Sequence, residues 1–156
     1  KSMPKFMLGS VRHNLDDKNR MRIPAIYREG IGASPYILPS TRTGCLYIVP
    51  EEKFESIYMQ LDSGDLFNDS EKNDKSTRVS YLSYCLKEDN QGRVTLSDAI
   101  ANEIGIKKSD ITKEIVFVGK GSYIELWSGE AWDARFKVLN PVAINDMLDS
   151  LKKRGN

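Results

Sequence analysis

The chain has 156 residues, of which 40% are hydrophobic and 29% charged, which suits one compact unit or two small domains and excludes disorder of the whole chain. Its 23 basic and 22 acidic residues give a formal charge of +1, so binding to a polyanion would have to depend on a local cluster of bases. No apolar run reaches about 18 residues, so no membrane segment is expected, and the first residues are too polar for a signal peptide.

The first half of the chain predicts a series of short strands and helices. A strand over residues 6–14 leads through a polar turn to a short strand over residues 20–23, and Pro24 suits the first turn of a short helix. Two further strands, over residues 36–38 and 45–49, precede a second helix. That helix has an apolar stripe that predicts packing against a core, formed by Phe54, Ile57, Tyr58 and Leu61.

The second half predicts the same order of elements. A leading strand over residues 79–86 and a return strand over residues 93–96 flank a tight turn, and Ser97 can cap the helix that follows. Strands over residues 114–118 and 123–127 flank a glycine-containing hairpin. The chain therefore predicts two copies of one fold unit.

Polar and helical segments complete the organisation. Residues 62–78 are polar and acidic, which predicts a linker or loose loop between the copies. A tail helix is predicted after Asn140, and its apolar stripe is expected to pack on its own chain or on a neighbouring copy. The predicted divisions are a first repeat over residues 6–61, the linker over 62–78, a second repeat over 79–136 and a tail over 137–156.

A short charged motif, Asp-x-x-x-Arg, occurs once in each copy. The same offset separates Asp16 from Asp89 and Arg20 from Arg93. The acid can hydrogen-bond the backbone two residues on, and Asn19 tolerates the left-handed geometry of a tight turn. Each acid and arginine then lie close enough for a bidentate pair that orients the guanidinium. A single pair of this kind would be a turn-stabilising ion pair, whereas two in register favour a two-site recognition surface.

These motifs resemble the MraZ family of bacterial transcriptional regulators. The resemblance covers most of residues 6–136, including the stretch from Asp16 to Ala25, the segment Asp89–Val94, the strand Glu114–Gly119 and the segment Ile124–Trp127. It implies an α+β fold of two pseudo-repeated AbrB-like halves of the swapped-hairpin barrel type, with short helices and here a C-terminal helix.

The resemblance also implies a function and a set of residues. It implies a ring-like homo-oligomer in the cytoplasm and nucleoid that binds repeated promoter boxes of the division and cell-wall gene cluster, including its own operon. The family's DNA-contacting arginines correspond to Arg20 and Arg93. The first copy carries more bases around its motif, so we expect it to make most of the DNA contacts and Arg93 to contribute less. The expected DNA-binding residues are Lys18, Arg20, Arg22, Arg28 and Arg93, with Asp16 and Asp89 as orienting acids.

Other functions have less support from the sequence. His13 is the only histidine and has no recognisable titratable partner, so we expect a structural role for it and no enzymatic activity. No cysteine or histidine spacing suits zinc, and no cofactor or small-molecule substrate is expected. Cys45 and Cys85 lie in apolar surroundings, which predicts two buried, reduced thiols of a cytosolic protein. The alternative to DNA binding is an oligomeric scaffold that holds protein partners through its aromatic cluster or its tail.

Overall fold

A computed structural model describes residues 5–61, 66–67, 70–136 and 141–154, with the side chains of the last range described from Asn145 onward. The elements in chain order are β1 (Ser10–Asn14), β2 (Arg20–Met21), α1 (Ala25–Ile31), β3 (Tyr36–Pro39), β4 (Cys45–Val49), α2 (Glu51–Leu61), α3 (Ser70–Leu82), β5 (Tyr84–Cys85), β6 (Val94–Thr95), α4 (Asp98–Glu103), β7 (Glu114–Gly119), β8 (Ile124–Ser128), α5 (Gly129–Phe136) and α6 (Pro141–Arg154).

The main sheet shows that the two copies exchange strands. Its order is β1-β7-β8-β4-β3-β5, and all neighbouring pairs are antiparallel. The leading strand of the first copy, β1, pairs with β7 of the second, and β5 of the second copy pairs with β3 of the first. The counterparts in the two copies are β1 and β5, β3 and β7, and β4 and β8. Exchanging each strand for its counterpart gives the same sheet read from its opposite edge, so the sheet has a pseudo-twofold arrangement. The two-repeat α+β fold is therefore confirmed, and neither copy completes its own sheet.

A second, two-stranded sheet joins the two charged turns. Its strands β2 and β6 are antiparallel, with Arg20 opposite Thr95 and Met21 opposite Val94. The inward-facing Met21 and Val94 belong to one apolar cluster to which both copies contribute. Because the ribbon is anchored in this shared core, the turns at its ends have a defined position relative to each other.

Several strand predictions are correct in place but too long. Regular pairing in the first leading strand begins only at Ser10, after an isolated bridge between Met7 and Gly121. The predicted strand over residues 20–23 is a two-residue strand, and the predicted strand over 93–96 is likewise reduced to Val94–Thr95. The ribbon is short because each of its strands is soon followed by a helix, α1 after β2 and α4 after β6. As predicted, Ser97 caps α4, and its Oγ accepts a hydrogen bond from the Ile100 N–H at 3.2 Å.

The predicted loose linker and the strand after it are wrong over the described residues. Residues 70–82 form the helix α3, and only Tyr84–Cys85 remains as a strand. This segment contains no glycine or proline, so its polar composition did not prevent a helix. Buried Leu82 anchors the helix in the core, and the Tyr58 and Ser80 hydroxyls join it to α2 at 2.6 Å. The linker residues 62–65 and 68–69 lie outside the described part of the chain.

The tail and the thiols differ from prediction in burial. The helix α6 forms, but Met147, Leu148 and Leu151 are 57%, 47% and 56% exposed, so these three side chains are not buried against the described part of their own chain. Packing on a neighbouring copy stays a prediction. Both cysteines are free thiols, and Cys45 is buried as expected whereas Cys85 is only half-buried because β5 lies at the edge of the sheet.

Candidate nucleic-acid interface

The first charged turn is built around the carboxylate of Asp16. Its Oδ1 accepts the backbone N–H of Lys18 at 2.9 Å and that of Arg20 at 2.8 Å. Its Oδ2 accepts Nε of the Arg20 guanidinium at 2.6 Å. Asn19 closes the turn with a φ of 58°. The predicted ion pair forms, but it is not bidentate because one carboxylate oxygen is already used by the backbone.

The second turn repeats this construction atom for atom. Oδ1 of Asp89 accepts the N–H groups of Gln91 at 2.8 Å and Arg93 at 2.9 Å, and Oδ2 accepts Arg93 Nε at 2.9 Å. Gly92, at a φ of 76°, occupies the position of Asn19. Both arginines are therefore held in the same way, through Nε.

The hydrogen bonds change the acidity of both carboxyl groups. Partial burial of the Asp16 carboxyl raises its pKa, but the backbone and side-chain donors of Arg20 and the N–H of Lys18 together lower the pKa below its usual value. The backbone N–H of Arg93 is the main cause of the lowered pKa of Asp89. Both acids are therefore ionised at neutral pH, as an orienting role for a guanidinium requires.

The two turns lie side by side. The Leu96 N–H donates to the Asn19 carbonyl at 2.8 Å, and Nε of Arg22 donates to the Gln91 carbonyl at 3.2 Å. Between them is a shallow depression of about 310 Å³. Its lining consists of His13, Asn14, Asp16, Arg20, Met21, Arg22 and Arg93.

The depression concentrates positive charge that the composition of the whole chain conceals. Three arginines and one aspartate are the charged residues of its lining, whereas the formal charge of the chain is only +1. Within the described part of the chain, the terminal guanidinium nitrogens of Arg20 and Arg93 have no hydrogen-bond or ion-pair partner. These donors are available to a phosphate or to the edge of a base.

The other predicted residues occupy different positions. Lys18 is exposed at the tip of the first turn, beside the depression. Arg28, on α1, pairs with Glu88 at 2.7 Å and lines a separate cavity. The structure therefore brings together Arg20, Arg22 and Arg93 and sets Arg28 apart.

Sequence reasoning missed two contributors to this region, His13 and Lys113. His13 was expected to be structural, and its ring does contact Phe117 edge-on at 6.3 Å, but it is exposed and lines the depression. Lys113 is almost completely buried and donates to Oδ1 of Asn19 at 2.9 Å. The exchange of strands brings Lys113 beneath the first turn, and no local motif around it signals this contact.

Two further properties concern metals and membranes. Within the described ranges, no group of three or more histidine, cysteine, aspartate or glutamate side chains is arranged to hold a metal ion. None of the helices described there has the length and apolar character needed to span a membrane.

Comparison with known proteins identifies the family. The family model described as "MraZ protein, putative antitoxin-like" matches residues 6–76 and 84–144. The chain is 34% identical over 129 residues to a protein of Lactobacillus gasseri and 33% identical over 131 residues to one of Clostridium tetani, each named transcriptional regulator MraZ. Both alignments cover 82% of this chain and 85% of the relative. A protein of Thiobacillus denitrificans with the same name is 31% identical over 130 residues, with 81% and 84% covered. The chain belongs to the MraZ family.

Proposed function

We propose that this protein regulates transcription by binding DNA sequence-specifically through the depression between its two charged turns. The names of its relatives support a role in transcription, and the family resemblance supports repeated promoter boxes of the division and cell-wall gene cluster, including its own operon, as the target. Such a regulator acts in the cytoplasm, on the nucleoid. The observation that carries the proposal is the pair of aspartate-held arginines, Arg20 and Arg93, in one depression.

In the proposed complex, the aspartates orient the arginines and the arginines contact the DNA. Asp16 and Asp89 hold the arginines through Nε, so that each guanidinium keeps its two terminal nitrogens for the ligand. A guanidinium with this orientation can donate two parallel hydrogen bonds to O6 and N7 of guanine, or to two phosphate oxygens. Less conformational entropy is lost on binding because the side chain is already held.

The surrounding bases would serve affinity more than sequence discrimination. Lys18 at the tip of the first turn and Arg22 beside it are suited to phosphates that flank the base contact. Arg28 would contribute through long-range attraction only, since it is paired with Glu88 and does not line the depression. Arg93 has the same geometry as Arg20, so we assign it a direct contact and a larger role than the count of neighbouring bases suggested.

Assembly into a closed homo-oligomeric ring would multiply these contacts. The two copies present similar but not identical surfaces, and heterologous contacts between such surfaces close into rings when the rotation permits. A ring that engages several promoter boxes at once gains affinity through effective concentration, without new contacts. Repeated boxes are therefore the DNA target that suits a ring.

An oligomeric protein-binding scaffold is the second candidate function. The exposed stripe of Met147, Leu148 and Leu151 on α6 favours it, because exposed apolar helix faces commonly serve protein contacts. The two candidates differ in their response to DNA. A gel-shift titration with a duplex from upstream of the protein's own gene, against a shuffled duplex of equal composition, tests the proposal. Selective retardation of the promoter duplex supports sequence-specific DNA binding. Equal retardation of both duplexes, or retardation of neither, would refute the proposal and favour the scaffold function.

A further inference from the structure

The two charged turns, alike in their own hydrogen bonds, are supported differently from below. The Asn19 side chain points inward and is 1% exposed, and its Oδ1 accepts Lys113 Nζ at 2.9 Å. The same Nζ lies 3.5 Å from the Asp17 carbonyl oxygen. The buried Lys113 ammonium therefore contacts the first turn at two residues, Asp17 and Asn19.

Nothing equivalent supports the second turn in the described part of the chain. Gly92 takes the place of Asn19, and a Cβ built on Gly92 would meet no atom within 4 Å. The counterpart of Lys113 is Pro35, because the two residues accept matching backbone hydrogen bonds. The Leu15 N–H donates to the Lys113 carbonyl at 2.9 Å, and the Leu86 N–H donates to the Pro35 carbonyl at 2.8 Å. Proline has no side chain that could reach the turn.

We infer that Lys113 is a positioning residue for Arg20, a role that depends on the proposed DNA-binding function. Lys113 comes from the second copy, immediately before β7, so its bond to Asn19 fixes the first turn against the opposite half of the molecule. Arg20 directly follows Asn19, and Arg93 lies across the same depression. The tether thus sets the spacing between the two guanidinium groups that meet the DNA.

The inference predicts an asymmetry between the two arginines. The first turn is held both by its own aspartate and by the buried lysine. The second is held by its own aspartate, by the backbone ribbon and by the bond from exposed Arg22 to the Gln91 carbonyl, and it has no buried charged tether among the described residues. Loss of the tether should therefore impair recognition through Arg20 and leave recognition through Arg93 almost unchanged. If Lys113 were only structural, its loss would weaken recognition through Arg20 and through Arg93 equally, because it would lower the fraction of folded protein.

The test is a set of double-mutant cycles on the full chain. We would measure binding of Lys113→Met to the promoter duplex and to the shuffled duplex, alone and combined with Arg20→Ala or Arg93→Ala, with the folded fraction determined for each variant. Lys108→Met, which removes an exposed lysine from the same loop, is the matched charge control.

The expected result is a loss of promoter preference that depends on Arg20. Lys113→Met should lower the ratio of promoter to shuffled affinity by roughly 2- to 150-fold, the range for residues coupled in one hydrogen-bond network. The loss should nearly disappear in the Arg20→Ala background and persist in the Arg93→Ala background. An unchanged ratio, or equal losses in both backgrounds, would overturn the inference. Failure of Arg20→Ala itself to alter promoter binding would instead refute the proposed function.

A second variant keeps the test valid if Lys113→Met does not fold. Asn19→Gly combined with Lys113→Met removes the tether without leaving the buried amide oxygen unpartnered, and glycine accepts the φ of 58° without strain. This double variant makes the first turn resemble the second. We expect it to fold and to show the same loss of promoter preference, whereas wild-type preference in this variant would contradict the positioning role.

Discussion

Replacement of Arg20 by alanine separates recognition from turn stability. In the structure, Arg20 uses Nε for Asp16 and keeps two terminal nitrogens for a ligand, which is one bidentate contact per turn. A bidentate contact to a base contributes about 1–3 kcal/mol of discrimination. Because about 1.4 kcal/mol corresponds to a factor of ten, Arg20→Ala should weaken binding to a single promoter box by roughly 5- to 150-fold.

The expected cost to folding is smaller. The Arg20 and Asp16 side chains are 25% and 35% exposed, and ion pairs with such access to water contribute about 0–1 kcal/mol. For a chain of this length a loss of that size lowers the melting temperature by up to about 4 °C. Binding measured by fluorescence anisotropy and thermal unfolding followed on the same preparation give both quantities.

Two matched variants complete the experiment. Arg20→Lys keeps the charge but loses the planar fork, so it should retain affinity for shuffled DNA and lose promoter preference. Arg78→Ala removes an arginine of α3 that pairs with Glu103 of α4. Neither residue lines the depression, so this variant should leave binding unchanged. A lower melting temperature of Arg20→Ala with unaltered promoter affinity would refute the reasoning and make the motif a stabilised turn only.

Further predictions concern charge, pH, thiols and assembly. Lys18→Ala should weaken promoter and shuffled DNA alike and reduce the slope of log affinity against log salt by about one, measured by titration at several salt concentrations. Because the pKa of Asp16 is lower in the folded state than in the unfolded state, its stabilising contribution is complete at neutral pH and is lost as pH falls through the folded pKa. The difference in unfolding free energy between wild type and Asp16→Asn, measured by denaturant titration, should therefore be largest above about pH 5 and shrink in acid. Burial raises the pKa of the Cys45 thiol, so Cys45 should react with a thiol reagent much more slowly than half-buried Cys85, and equal rates in a labelling time course would contradict this. Light scattering should report a closed oligomer larger than a dimer, and a monomer at all concentrations would exclude the ring.

Local signals in the sequence predicted the turns well. The Asp-x-x-x-Arg spacing, together with residues that tolerate positive φ, determines a turn in which the hydrogen bonds of the aspartate side chain all lie within five residues. The bidentate pairing was wrong because the Arg20 N–H competes for the same carboxylate. The cap at Ser97 was predictable for the same reason, since its partner is three residues away.

Features that depend on long-range contacts were not predictable in this way. The exchange of β1 and β5 joins residues about a hundred positions apart in the β1–β7 pair and about fifty apart in the β5–β3 pair, and no pattern within either strand specifies its partner. Lys113 meets Asn19 only because of that exchange. The helix α3 was missed because its stabilising residue, Leu82, is a single buried contact at the end of a polar segment.

The central claim is that the depression between the two turns recognises promoter DNA. A direct measurement is the affinity of wild type, Arg20→Ala, Arg93→Ala and the double variant for a duplex with a single promoter box, relative to a shuffled duplex. The account predicts that each single substitution reduces the promoter preference and that the double variant loses it while remaining folded. A double variant that still prefers the promoter duplex would contradict the account.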